Sequence, residues 1–424
     1  MRYLTLFLIA FFCFSSAMAV TTTAVTFLRV PPSPQANGMG EIYSANTSSP
    51  MASIMNPAFA GLQARTTQAA YEYYPQKMVW MEDYPDIKYN SEAAFIGLNL
   101  KQFSKYPVAI GITWHKSRFD LGEGDNYLAE THQYLGRTRS FEEVTGTTVS
   151  IAVDYYVRAS FGVTYKSIDS RLSEWLEGPV DPQLGIPNAV TSIKAHDLGF
   201  IVQAPVIDLL IKTKKLSKFD GNLAPFIDPG LYYSKTNVGG FLTYGETGFP
   251  NPLPRMLSIG YNLNAGLTYQ GKYRHFTLLS AQWAREVNDL LVSETDNDEW
   301  VYESGLHDID LWKQLVRVKS GDGVITKRGY ELNICDFIYD RRGYYEDIEG
   351  QVILHTQGWS INYTQPLKIL AAFYPIENTI WGKLLTHIRF EKHVSRQNFA
   401  NGLAYINNLE FKSYTIRLEN IAFH

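Results

Sequence analysis

Apolar and polar residues alternate along strand-length pieces for most of this chain. The clearest case is the stretch 257–270, in which alternate positions form an apolar row and a polar row. The apolar row comprises Leu257, Ile259, Tyr261, Leu263, Ala265, Leu267 and Tyr269. An unbroken phase of this length exceeds the ~5–6 residues usual in soluble sheets, whereas a tilted membrane strand needs ~9–11 residues plus an overhang. The pattern therefore predicts strands long enough to cross a bilayer.

Shorter segments with the same alternation recur along the chain and predict further strands. They are 96–100, 108–114, 149–155, 161–165, 198–202, 359–363 and 414–418. The stretch Asp154 to Arg158 reads as a tight turn between two of them. Three polar inserts, 120–146, 169–194 and 286–328, are expected to be long loops on one rim. Pro205 to Lys218 predicts a short amphipathic helix at the rim or membrane interface, a soluble packing helix being the alternative.

The first nineteen residues have the composition of a secretory signal. Arg2 precedes the apolar run Leu4 to Phe14, and Ala17-Met18-Ala19 supplies the small residues that signal peptidase requires. We therefore expect residues 1–19 to be removed and the mature chain to begin at Val20. No other apolar stretch approaches the ~18 residues of a spanning helix, so a membrane form must enter the bilayer as a closed barrel of strands.

Composition and charge narrow the class of protein. The formal net charge of the full chain is −4, and its charged residues are spread along the sequence. A nucleic-acid partner would require a basic stripe, so none is expected. Removal of the signal takes away Cys13 and leaves Cys335 alone, so the mature chain has no internal disulfide. The aromatic content of 14% suits the interfacial girdles of a barrel.

The segment 20–65 precedes the first clear strand and is expected to be an internal hatch. From Val30 to Leu62 it is dense in Pro, Gly, Asn, Ser and Ala, which cannot form a lipid-facing wall. Irregular backbone at membrane depth is tolerated where it is buried in protein. The sequence thus divides into the signal at 1–19, a hatch at 20–65 and a barrel at 66–424.

Three groups of motifs resemble a known family of membrane barrels. They are Asn37-Gly38-Met39-Gly40-Glu41-Ile42-Tyr43 followed by Ser48 to Ala58, then Asn237 to Gly240 with Leu253-Pro254-Arg255, and lastly Arg328 to Leu332 with Arg341 to Asp347. The first is similar to the hatch of FadL-type outer-membrane transporters and their PorV/PorQ relatives. The others are similar to PorV-like chains from Bacteroidetes-type bacteria. The resemblance implies an all-β fold, a transmembrane antiparallel β-barrel of about 14 strands with an N-terminal internal hatch.

The hatch supplies the candidate site residues. Asn56 can cap the short helix that Pro57 and Ala58 would begin, and turn chemistry alone accounts for these residue types. This leaves open whether the hatch is only a plug. The flexible or apolar side chains of the hatch could instead line a path for a passing hydrophobic ligand. The candidate ligand-binding set is Met39, Met51, Met55, Asn56, Pro57 and Phe59.

Signatures of catalysis and of metal binding were not found in the sequence. The nine histidines are scattered, without a zinc-protease motif or a nucleophile elbow, so no enzyme activity is expected. Carboxylates cluster between Glu294 and Glu299 but lack the order of a calcium loop, and a solvated external loop is the favoured interpretation. We expect no metal site and no cofactor.

Three functions remain open at this stage. The first is a FadL/PorV-like barrel in the bacterial outer membrane that binds or passes hydrophobic molecules without catalysis. Its partners would be a hydrophobic small molecule or lipid and the surrounding outer-membrane lipid. The second is a type IX secretion accessory barrel of the PorV/PorQ kind, which docks secretion-system components or exported proteins. The third is a soluble secreted all-β binding protein.

Overall fold

A computed structural model of the chain describes most residues between 23 and 421. The described residues are 23–43, 48–75, 87–104, 106–127, 133–177, 189–217, 219, 221–244, 250–272, 274–295, 297, 299–317, 319–321, 323–375, 382, 386–400 and 409–421. The expected signal at 1–19 and the expected mature start at Val20 lie outside them.

Fourteen antiparallel strands close into one barrel. Each strand pairs with its neighbours in the chain, and β1 pairs with β14 to complete the ring. The strands are β1 Gln68–Tyr74, β2 Lys88–Asn99, β3 Val108–Tyr127, β4 Tyr134–Asp154, β5 Arg158–Glu177, β6 Val190–Gln203, β7 Leu223–Gly239, β8 Met256–Gln270, β9 His275–Leu290, β10 Val324–Ile334, β11 Ile338–Asp347, β12 Val352–Asn362, β13 Ile388–Phe399 and β14 Leu409–Leu418. The expected fold class and strand number are confirmed.

The barrel has two different rims. One rim, which we call the turn rim, carries the start of β1, the end of β14 and the tight connections 155–157, 271–274 and 335–337. The opposite rim, which we call the loop rim, carries the longest connection between two barrel strands, residues 291–323.

The α-helices among the described residues are short and lie in two places. Three belong to the N-terminal segment, namely α1 Pro34–Gly38, α2 Ala52–Met55 and α3 Ala58–Gln63. Two lie on the turn rim, α4 Val206–Lys212 and α5 Gln365–Phe373. Among the described residues none of these helices is long and apolar enough to cross a membrane.

The outward face of the barrel is apolar. Residues paired across neighbouring strands share a face of the sheet. The outward members of these pairs include many large exposed side chains. Examples are Ile112, Ile151, Phe161, Phe200, Leu231, Leu263, Leu279, Trp283, Leu332, Trp359 and Ile416. A soluble protein rarely exposes such a continuous apolar surface, and lipid is the solvent that it fits. The wall is therefore that of a transmembrane barrel and does not fit the soluble alternative.

The inward face is polar and is filled by the N-terminal segment, residues 23–43 and 48–66. Inward side chains such as Glu72, His115 and Asp197 are shielded from solvent. Helix α1 contacts β11 to β14, and α3 contacts β2 to β6. The segment thus touches opposite parts of the inner wall.

The structure differs from the sequence prediction in the rim loops. Residues 120–127 and 134–146, expected to be loop, extend β3 and β4 as a long hairpin. Cross-strand ion pairs such as Arg137 with Asp125 support it, and charged residues and glycines interrupt the apolar alternation there. The tight turn after Asp154 is confirmed. The other two expected loops are shorter than predicted, because 169–177 and 190–194 belong to β5 and β6, and 286–290 and 324–328 belong to β9 and β10. The helix predicted within 205–218 forms over Val206–Lys212.

Candidate functional site

Two rows of glycines on opposite walls receive the N-terminal segment. On one wall a methyl group at Gly111 would lie 2.1 Å from the carbonyl oxygen of Ala60, and one at Gly162 would lie 2.5 Å from the carbonyl carbon of Pro57. On the other wall a methyl group at Gly343 would lie 2.0 Å from the amide nitrogen of Gly40. Strands β3 and β5, which carry Gly111 and Gly162, flank β4, and β4 stands opposite β11, which carries Gly343, in the ring of fourteen. The segment therefore crosses the lumen from wall to wall in backbone contact with both sides.

The sequence-predicted pair Asn56 and Pro57 fixes the first of these contacts. The side-chain oxygen of Asn56 accepts a hydrogen bond of 3.1 Å from the amide of Ala58, and its amide group donates one of 3.3 Å to the carbonyl of Tyr233. Asn56 therefore caps the start of α3 and also ties it to β7. Ser160 adds a hydrogen bond of 2.6 Å to the carbonyl of Ala58.

The apolar residues of the predicted set are buried in packing contacts. Phe59 stacks on Tyr232 at 5.9 Å between ring centroids. Met39 packs with Ile42 against the wall, and Met51 and Met55 belong to the largest apolar cluster of the interior. Within the described part of the chain these side chains do not border the two cavities described next. Their contact with a ligand stays a prediction that requires the segment to move.

An apolar cavity of about 290 Å³ lies on the loop-rim side of the N-terminal segment. Phe27 of the segment covers it from below and stacks on Phe119 of β3. Inward residues at the loop-rim ends of β8 and of β10 to β14 complete the wall. They are Met256, Ile325, Tyr345, Val352, Leu354, Phe399, Leu409 and Phe411.

The floor of the apolar cavity carries charge. The Lys327 ammonium lies 4.2 Å from the centre of the Tyr43 ring, donates to the carbonyl of Glu41 at 3.0 Å, and approaches Glu286 at 3.8 Å. Gln397 donates to the Glu41 carboxyl at 2.7 Å. Burial raises the pKa of this carboxyl above its usual range, and the charge of Lys327 opposes the shift. The cavity thus joins an apolar body to a polar base.

A second, polar cavity of about 430 Å³ lies on the turn-rim side of the segment. Ion pairs line it, including Arg341 with Glu331 at 2.6 Å and Arg389 with Glu391 at 2.6 Å. Two further basic residues on its wall are Arg158 and Arg417. The N-terminal segment therefore separates the apolar cavity on the loop-rim side from the polar cavity, an ion-lined chamber, on the turn-rim side.

Sequence reasoning did not identify the residues of the apolar cavity. Those contributed by the barrel wall lie on the inward row of a strand, which is otherwise polar, and toward the loop-rim end of that strand. The available signal was a loss of alternation at strand ends, as in Val352-Ile353-Leu354. The signal was hard to use because the cavity brings together positions as distant as Phe27 and Phe411.

Searches for relatives match solved structures only. No protein-family model matches the chain, and no curated protein is similar to it. The chain is similar to the toluene transporter TbuX of Ralstonia pickettii, with 13% identity over 92% of this chain and 98% of that one and a TM-score of 0.42. It is similar to the toluene transporter TodX of Pseudomonas putida, with 11% identity over 91% and 97% and a TM-score of 0.42.

A third neighbour is a FadL homologue of Pseudomonas aeruginosa, with 9% identity over 91% of this chain and 98% of that one and a TM-score of 0.39. The neighbours thus include FadL-type barrels, as the N-terminal motif implied. At these identities and TM-scores the likeness carries no argument about function. The relation to PorV and PorQ stays a prediction.

Proposed function

We propose that this chain is an outer-membrane barrel that captures a hydrophobic molecule in the apolar cavity and releases it past the N-terminal segment. The observation that carries the proposal is the apolar cavity itself, which is lined by inward residues of the wall and, on the side of the N-terminal segment, by Phe27 and Tyr43. Bacterial barrels carry short turns on the periplasmic side and longer loops outside. The loop rim is therefore the external side, from which the ligand enters.

The walls of the cavity define the ligand class. A volume of about 290 Å³ is near the lower end of the ~300–1,000 Å³ usual for ligand pockets, so the ligand is small or enters only in part. Transfer of apolar surface from water contributes about 25 cal/mol per Å². Lys327 and Gln397 on the floor can hydrogen-bond a polar end of the molecule. A compact apolar body with one polar end fits best.

Passage requires movement of the N-terminal segment, because that segment contacts both walls between the two chambers. Met51, Met55 and Phe59 would then meet the ligand, together with Met39, Asn56 and Pro57 at the ends of the moving part. These contacts are part of the proposal. No chemical step is involved, and the ion-lined chamber offers the polar end of the ligand a hydrated exit.

A matched pair of variants on β12 tests the proposal. Leu354 faces the cavity, whereas the neighbouring Ile353 belongs to the opposite face of the same strand. Leu354→Trp fills the cavity, and we expect it to abolish binding of a fluorescent apolar probe by the purified barrel in detergent. Ile353→Trp should bind as the unaltered protein does. Equal binding by both variants would exclude the cavity as the site.

The secretion-accessory alternative predicts a different outcome of purification from native membranes. In that case exported proteins or secretion components would be retained, and the Leu354→Trp variant would retain them equally well.

A further inference from the structure

Part of the longest connection at the loop rim lies against the outside of the barrel. This outer-wall segment, residues 303–317, buries Ile309 and Leu315 in a cluster with Leu257 and Val287. Leu257 shares a face with the outward Tyr233 row of β7, because Ile259 pairs with Tyr233 and Leu257 is two residues away. The segment therefore covers outward positions of β8 and β9.

The covered wall positions include two charged side chains. Arg285 and Asp289 share the outward face of β9 with Trp283. Arg285 donates to the carbonyl of Gln314 at 2.8 Å, and Asp289 accepts from the amide of Asp308 at 2.8 Å. These bonds satisfy polar groups that lipid could not satisfy, which explains why charge is tolerated on the outward row.

The free side of the outer-wall segment is apolar and basic. The side chain of Trp312 is 60% exposed, that of Val316 is 56% exposed, and that of Leu311 is 41% exposed. Three exposed basic residues lie beside them. Lys313 is part of the short π-helical turn Trp312–Val316, and Arg317 and Lys319 follow that turn. The acidic Asp310 is occupied, since its carboxylate caps the turn at the amides of Trp312 and Lys313.

We propose that this surface docks a membrane lipid with a negatively charged headgroup, from the leaflet at the loop rim. The apolar part continues the lipid-facing wall, since Tyr261 contacts the exposed Trp283 at 5.4 Å between ring centroids and bonds the carbonyl of Leu315. A lipid chain there meets Trp312 and Val316, and basic side chains nearby attract an acidic headgroup. The proposal depends on the membrane setting of the barrel and not on the ligand of the lumen.

Tryptophan quenching by brominated lipid tests this surface. The full chain is placed in vesicles of phosphatidylcholine and phosphatidylglycerol in which only one of the two lipids carries bromine. The signal of Trp312 is the difference between the unaltered protein and the Trp312→Phe variant. We expect stronger quenching when phosphatidylglycerol carries the bromine.

The charge dependence supplies the control. Replacing Lys313, Arg317 and Lys319 by glutamine should remove the preference for phosphatidylglycerol. The same replacement of Lys212, Lys214 and Lys215, which lie on the turn rim, should leave it unchanged. Equal quenching by the two lipids in the unaltered protein would overturn the proposal. Absence of quenching would also overturn the proposal, because Trp312 would then be covered by water or by a second copy of the chain. Chemical cross-linking at rising protein density distinguishes these two cases.

Discussion

Gly111 of β3 lies directly against the carbonyl of Ala60 in α3, where a single added methyl group would come within 2.1 Å of the oxygen. Both partners are backbone, so neither can rotate away as a side chain would. The wall and the N-terminal segment are thus fitted to each other at the level of the main chain. This contact, together with those at Gly162 and Gly343, holds the segment across the lumen.

Gly111→Val should displace the N-terminal segment from the wall. Because the added side chain collides with backbone, we expect faster protease cleavage within 48–66 and a higher single-channel conductance in planar bilayers. Gly124→Val is the matched control, since Gly124 lies in the exposed hairpin of β3 with nothing within 4 Å of an added Cβ. Equal conductance of the two variants would show that the segment does not close the lumen.

Asn56 makes two bonds that substitution can separate. Asn56→Asp keeps the acceptor for the amide of Ala58 but loses the donor to Tyr233, whereas Asn56→Ala loses both. Each lost bond costs about 1 kcal/mol, so Asn56→Ala should lower the thermal unfolding midpoint in detergent the most. A larger loss in Asn56→Asp would point to charge in the buried site, not bond number, as the cause.

The stability of the N-terminal segment should depend on pH through Glu41. Its folded pKa is raised above the usual value of 4.5, chiefly by burial. The protonated form is therefore favoured by folding, and its contribution is complete below pH 4.5 and is lost as pH rises through the folded pKa. Glu41→Gln should remove this loss and make the unfolding midpoint less dependent on pH above pH 4.5. A variant with the same pH profile as the unaltered protein would show that another group is responsible.

Lys327 should stabilise the fold mainly through its ion pair with the Glu286 carboxylate. Lys327→Met leaves Glu286 buried without its nearby cation, and removal of one partner of such a pair costs about 3–5 kcal/mol. Adding Glu286→Gln should recover part of that loss, and a double-mutant cycle of unfolding midpoints measures how much. Additive losses would mean that the two side chains do not interact.

The strand alternation in the sequence was sufficient for the barrel but not for the cavities. The row from Leu257 to Tyr269 lies in one strand, β8. Its alternation is clear in the sequence because the outward side chains in the middle of the strand face lipid. The hairpin beyond Asp120 was predicted to be a loop because charged residues and glycines interrupt the alternation there. Helix α5 was not predicted from the sequence. Its buried side includes Gln365 and Lys368, so its apolar residues do not mark the packed face.

The structure places the predicted site residues in the N-terminal segment, and their contact with a ligand stays a prediction. Asn56 and Pro57 carry turn and capping chemistry that depends on neighbours in the sequence. The apolar cavity depends instead on strands hundreds of residues apart in the sequence, such as those of Phe119 and Phe411, which line the same cavity. Cross-strand register decides which inward residues share a level, and no single stretch of sequence contains it.

Diffraction from crystals grown with a brominated apolar ligand locates the binding site. We expect an anomalous peak inside the barrel between Phe119, Leu354 and Phe411, above Lys327. Bromine found only along the outward wall beside Leu231 and Leu263, with the lumen empty, would contradict it.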